Sequence, residues 1–203
     1  MPHRSGVRGG FALALLSASC FGVLPVAGKL AFAEGFGVGP LLAWRFGLGA
    51  ALLAGLVALR GGLGAVSPRR RAALFALGAL YAGNSALYFL ALERIPATTT
   101  SLVFYVFPAI VAVLGALLLG RPLTPARVGA LALALVGAAL TVGFAREGLN
   151  ATGVLLALGS ALVVAVYLTL GEVALRGIAT LPATVVVLSG TAAPLWIVLL
   201  ATG

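Results

Sequence analysis

Seven stretches without a charged side chain make up most of this 203-residue sequence: residues 11–28, 46–59, 72–92, 95–120, 128–145, 148–171 and 177–203. They hold 18, 14, 21, 26, 18, 24 and 27 residues. A helix needs roughly 20 apolar residues to cross a hydrocarbon core of about 30 Å, so six runs are long enough, or nearly so, unaided. The second reaches span length by starting near Pro40 and taking Arg45 into the helix. None of the runs alternates apolar and polar residues as a barrel strand does, and helices are the remaining way to satisfy every backbone group in lipid. The expected fold is therefore all-α, a polytopic transmembrane helix bundle of about seven spans. Composition agrees: 8% of the residues are charged, where a soluble domain carries about a quarter.

A net charge of +9 invites a nucleic-acid reading, but the placement of the charges argues for topology instead. With a cytoplasmic N-terminus, the inner connections receive Arg4, Arg8, Arg60, Arg69, Arg70, Arg71, Arg121, Arg127 and Arg176. The outer ones receive Lys29, Arg94 and Arg146. This excess of inner cations is the usual orientation signal, so the partners expected are a lipid bilayer and a small-molecule substrate, with no nucleic acid. The expected location is the cytoplasmic (inner) membrane of a bacterium. The first run is long, ends in Gly28-Lys29-Leu30 and lacks a small-x-small exit. It is expected to be a retained span and not a cleaved signal.

Polar side chains inside the runs fall in stripes. Tyr81, Asn84, Ser85 and Tyr88 are spaced i, i+3, i+4 and i+7 on helix three, with Asn84 roughly 18 Å from the start of that run, near mid-membrane. The functional reading is a cavity wall contacting substrate. The other is hydrogen bonding between helices, worth about 0.6 kcal/mol per bond in a bilayer. Ser101 and Tyr105 repeat the pattern on helix four, and Tyr167 of helix six joins the candidate contacts. Pro108 lacks the N–H that would bond the Phe104 carbonyl, and Pro25 and Pro194 do the same to Phe21 and Gly190, so each is a candidate kink. Lys29, Arg45 and Glu172 are the charges in or nearest the membrane. Each can snorkel to an interface, and a charge that cannot do so marks a functional site. In an up-and-down bundle Lys29 and Glu172 belong at opposite faces.

Small residues at fourfold spacing, Gly47, Ala51 and Gly55 on helix two and Ala126, Ala130, Ala134 and Ala138 on helix five, are expected to be packing seams. The lone histidine, His3, lies outside the runs, and the chain has no aspartate and one cysteine, Cys20. Intramembrane protease, metal-hydrolase and phosphate-loop motifs cannot be assembled from this inventory, so the chain is expected to be no enzyme, with no metal and no cofactor.

An internal repeat organises the runs. Sliding the chain by 143 residues lays 10–31 over 153–174 with nine identities in 22 positions, among them Ser17 over Ser160 and Gly28 over Gly171. Five helices separate the copies, and an odd number inverts the second copy in the membrane. The expected division is a first five-helix repeat at 10–145 and the first two helices of a second, inverted repeat at 150–203.

The stretch from Ala91 to Pro108 (ALERIPATTTSLVFYVFP), followed by Leu117 to Gly129 (LLLGRPLTPARVG), resembles the EamA-type domain of the drug/metabolite transporter superfamily. Trp44-Arg45-Phe46 and Gly137 add to the likeness, which covers residues 10–143 and the opening of the second unit. The resemblance implies secondary transport or export of small metabolites by alternating access, through a central cavity lined by helices one, three, four and six. No ATP site is present, so the resemblance implies coupling to an ion or to the substrate's own gradient. Two departures stand out. Relatives have an acidic residue after the Leu-Leu-Leu-Gly segment, where this chain has Arg121. They also have ten helices, so the second unit here is expected to be C-terminally truncated. The competing reading is a non-transporting membrane scaffold or inactive remnant, and a homo-oligomer of partial units is a further arrangement consistent with the sequence.

Overall fold

With no water to accept its hydrogen bonds, an apolar chain in lipid closes its backbone on itself, and this one does so as helices joined by short links. A computed structural model describes residues 3–60, 66–144 and 150–202, and these contain no strand. Most of the glycine-rich link between the second and third spans, Arg146, and the terminal Gly203 lie outside the described residues. In order the helices are α1 (His3–Ala33), α2 (Val38–Leu59), α3 (Pro68–Arg94), α4 (Ala97–Phe104), α5 (Phe107–Leu119), α6 (Pro125–Phe144), α7 (Ala151–Ala174) and α8 (Thr180–Thr202). Helices α4 and α5 together form one crossing, Ala97–Leu119. Among the described residues six spans are long and apolar enough to cross a bilayer, and α6, with 20 residues, is a further helix with a shorter apolar stretch at Val128–Gly137. The chain is a multi-pass helical membrane protein.

Local chemistry sets the helix ends. Pro68 and Pro125 open α3 and α6, where a missing N–H costs nothing. The Asn150 side chain caps α7 by accepting from the Gly153 N–H at 3.2 Å. Helix α5 stops at Gly120, whose φ of 65° is a left-handed conformation that other residues adopt only with strain. The fourth span is interrupted at Tyr105 and Val106. There the Val106 N–H reaches back three residues to Val103 (3.3 Å), two residues before Pro108. Helices α1 and α8 run unbroken through Pro25 and Pro194.

Helix α3 occupies the centre, packed against α7 and α8, with α2 packed on α8 and also touching α3. Its crossing with α8 is made backbone to backbone. A Cβ added at Gly78 would stand 2.8 Å from the Cα of Gly190, and one at Gly190 would stand 2.8 Å from the Cα of Phe75. Beside this contact Thr191 Oγ1 donates to the carbonyls of Val187 (2.9 Å) and Gly78 (3.0 Å). Around the crossing, Leu74 and Leu77 of α3 pack on Ala183, Val186 and Val187 of α8. Nearer the other end Leu42, Phe46, Tyr88, Phe89, Leu92 and Ala192 close a second cluster. Large apolar side chains cover the outside: Leu52 is 75% and Leu200 77% exposed. Such a surface requires lipid, since soluble proteins keep apolar patches small.

The bundle has two unlike ends. At one, Glu172 pairs with Arg121 and with Arg176 (3.3 Å), and Arg70 donates to the Arg176 carbonyl. This gathers the start of α3 with the ends of α5 and α7. Arg121 is thus held by an acid on a different helix. Towards the other end Trp44 and Trp196 meet edge to face at 5.1 Å, as interfacial aromatics do. Lys29 follows Gly28, which packs on Leu92 at that same end of α3.

The expected packing seams need correction. Gly47 does pack beneath Trp196, but Gly55 has open space around it and Ala51 is exposed. Ala126 and Ala130 are exposed too, and the side chains of Ala134 and Ala138 lie outside the described residues. Ala51, Gly55, Ala126 and Ala130 face outward, where small residues cost nothing, and the tight seam runs between α3 and α8 instead. Gly190→Ala should lower the thermal unfolding midpoint in lipid nanodiscs by the equivalent of about 1–3 kcal/mol, the usual cost of overpacking. Gly55→Ala should stay within about 0.5 kcal/mol of the wild type.

Candidate functional site

The helical period sets Tyr81, Asn84, Ser85 and Tyr88 on one face of α3, and that face opens on a cavity of about 720 Å³. Ser101 and Tyr105 of the fourth span and Tyr167 of α7 line the same space. All seven side chains singled out from the sequence as substrate contacts are thus brought together, from three spans. Helix α1 supplies Phe21, Gly22 and Pro25, and α2 supplies a single residue, Arg45. Lys29 and Glu172 do not line the cavity, nor do Pro108 and Pro194.

Hydrogen bonds between helices fix the polar groups. Ser160 Oγ of α7 donates to Oδ1 of Asn84 (2.8 Å) and approaches its carbonyl oxygen (3.1 Å). Tyr88 Oη and Ser101 Oγ are bonded at 3.1 Å, tying α3 to α4. Asn84 therefore does both things considered for it, joining two helices and facing the cavity. The bond to Ser160 sets its rotamer, so the amide is presented in one orientation.

Aromatic rings form the remaining walls. Tyr81 lies edge-on to Phe46 at 5.9 Å and tilted against Tyr167 at 4.9 Å. Tyr88 meets Phe104 at 5.1 Å, and Phe104 meets Phe107 at 5.1 Å. The interruption of the fourth span has a direct effect here: it turns Phe104, Tyr105 and Phe107 all toward the cavity. The Arg45 guanidinium lies 4.9 Å from the ring centre of Phe46 and 5.9 Å from that of Phe89.

Hydroxyls, a carboxamide, aromatic faces and one guanidinium are groups that recognise a solute. No histidine, cysteine or carboxylic acid lines the cavity, and no metal-binding cluster is found among the described residues. A mostly apolar concavity with a few converging polar groups has the usual composition of a small-molecule site.

Sequence reasoning missed Ser160, Phe21, Phe89, Phe104 and Phe107. The phenylalanines carry no mark that separates a cavity wall from a lipid contact. Ser160 did carry one, because Ser160, Val164 and Tyr167 stand at i, i+4 and i+7 on α7 and all face α3 or the cavity.

A family model described as the EamA-like transporter family matches residues 8–143, closely the extent of α1 to α6. No curated protein and no solved structure matches the chain. The geometry makes a quantitative demand at the helix contact. A double-mutant cycle of Asn84→Ala with Ser160→Ala, read by thermal unfolding in nanodiscs, should return a coupling of about 0.6 kcal/mol, and no more than roughly 1.7. A coupling of zero would mean that the bond between α3 and α7 does not form.

Proposed function

The chain belongs to the EamA-like transporter family, and from that premise we propose that its cavity is the substrate site of a secondary carrier moving small metabolites across the cytoplasmic membrane by alternating access. The observation that carries this reading is the convergence, inside an otherwise apolar bundle, of polar side chains from four spans on one cavity of metabolite size. Polar groups at mid-membrane depth are costly to keep, and they persist where they line a path or a site.

Two further features support it. Helices α1 and α7, which the internal repeat makes counterparts, both line the cavity, as the opening helices of two inverted units would around a shared site. In this reading 10–145 is one five-helix unit, and α7 and α8 begin an inverted second one. The interrupted fourth span supplies a second ingredient, since carriers place irregular backbone only where it borders a cavity. A break of this kind lets α4 and α5 tilt separately as the site changes the side to which it opens. The arginine-rich end carrying Arg70, Arg121 and Arg176 is the cytoplasmic one in this reading, which puts the N-terminus there too.

Asn84→Leu tests the site directly. In proteoliposomes screened with amino acids, sugars and cationic drugs, whichever solute the wild type moves should lose at least about tenfold in flux, the worth of one buried hydrogen bond to the solute. Membrane insertion should be unchanged. Wild-type flux in a correctly inserted variant would remove Asn84 from the site.

A further inference from the structure

Arg45 stands about 10 Å along α2 from the start of that helix at Val38, at 1.5 Å per residue. It is the one cation among the residues lining the cavity, and no carboxylate lines it. Other cations have partners: Arg94 pairs with Glu93, and Arg121 and Arg176 with Glu172. Around Arg45 the structure places the faces of Phe46 and Phe89, with the Tyr81 side chain nearby. Ring faces attract a cation but accept none of the five N–H groups of a guanidinium. Among the described residues, the guanidinium is therefore stacked and makes no hydrogen bond or ion pair, in a space walled mainly by aromatic and aliphatic side chains.

The geometry points to a substrate class: an organic anion with one carboxylate-type group, which Arg45 receives, on an aromatic or apolar body that the ring-lined remainder of the cavity holds. This rests on the carrier reading of the cavity. A guanidinium in a poorly hydrated site gains most from a planar, bidentate anion, so a carboxylate completes what the protein leaves open. A second negative charge would find no partner there, and an ammonium would stand beside Arg45 with no carboxylate to offset it. A neutral ring compound fits the walls and forfeits the charged contact. The aromatic pair Tyr81 and Tyr167, together with Phe104 and Phe107, gives the body of the solute flat surfaces to stack on.

Three probes that share a skeleton and differ only in the head group separate these cases: 3-phenylpropionate, 3-phenylpropionamide and 3-phenylpropylamine. Equilibrium binding to the whole chain in phosphatidylcholine nanodiscs should favour the carboxylate over the amide by about tenfold, the worth of one charge-assisted hydrogen bond. The amine should bind most weakly. Arg45→Gln should erase the carboxylate's advantage and leave amide binding within about twofold, whereas Arg45→Lys, which keeps the charge but loses the fork, should retain part of it. The head-group order in the wild type needs no variant to fold.

Equal or tighter binding of the amine overturns the proposal, and so does a carboxylate preference that survives Arg45→Gln. Failure of all three probes to bind overturns it as well. A preference seen only in lipid-free detergent would put a lipid phosphate on Arg45 in the bilayer, and it too would overturn the assignment to a soluble anion. Flux is measured on the same preparations, which keeps the two readings apart. An amine that is bound and transported defeats the anion assignment and leaves the carrier standing. A carboxylate that binds through Arg45 and never crosses defeats the carrier alone.

Discussion

Helix α3 can lie at the centre of this bundle because Gly78 and Gly190 allow it to touch α8 at backbone distance. In a bilayer there is no hydrophobic gain in moving a leucine from lipid to a helix interface, so close contact and hydrogen bonds must hold the spans together. The crossing supplies both, since Thr191 donates to the Gly78 carbonyl where the backbones meet. A methyl group on either glycine would strike the facing main chain, which cannot rotate away as a side chain can. With that contact fixed on one side of α3, the rotation of the helix is fixed, and its Tyr81-to-Tyr88 stripe has to point at α4 and α7.

The site follows from that rotation. Asn84 meets Ser160 and Tyr88 meets Ser101, so two of the bonds that close α3 onto its neighbours are also what hold two of the polar groups in the cavity wall. Scaffold and cavity lining are the same residues here. The interruption of the fourth span then turns Phe104, Tyr105 and Phe107 toward the cavity. Arg45 enters from α2, on the only turn of that helix that reaches the cavity. At the opposite end from Trp44 and Trp196, the Glu172 carboxylate between Arg121 and Arg176 ties α5 to α7.

How much of this was legible in the sequence depended on whether a feature lies within one helix or between two. Charge-free runs and the 3.6-residue period are local, so the spans, the stripe on α3 and the irregularity near Pro108 could all be read directly. The Gly78–Gly190 contact could not, because Gly190 stands in no repeated small-residue spacing and the run Gly78, Ala82, Ala86 on α3 does not say which helix it meets. The spacings that did look like seams, at Gly55 and Ala51, turned out to face outward, since Gly and Ala are tolerated against lipid as well as against a helix. The partner of Arg121 was hidden for the same reason: it lies 51 residues away, on a helix brought close by the fold. Phe89, Phe104 and Phe107 were unreadable as cavity walls because a phenylalanine facing lipid and one facing a solute differ only in tertiary position.

The central claim is that the space beside α3 is a site open to aqueous solutes and not a gap filled by lipid or packing. The chain carries one cysteine, Cys20, on the exposed face of α1, so a Cys20→Ser background can report one introduced thiol at a time. Thiolates react with water-soluble methanethiosulfonate reagents only where water reaches them. In that background Ser85→Cys, on the cavity wall, should be labelled in membranes, while Leu52→Cys, on the lipid-facing side of α2, should not. Labelling at Leu52 with none at Ser85 would contradict the account, because the polar stripe would then be dry and the water would lie on the other side of the bundle.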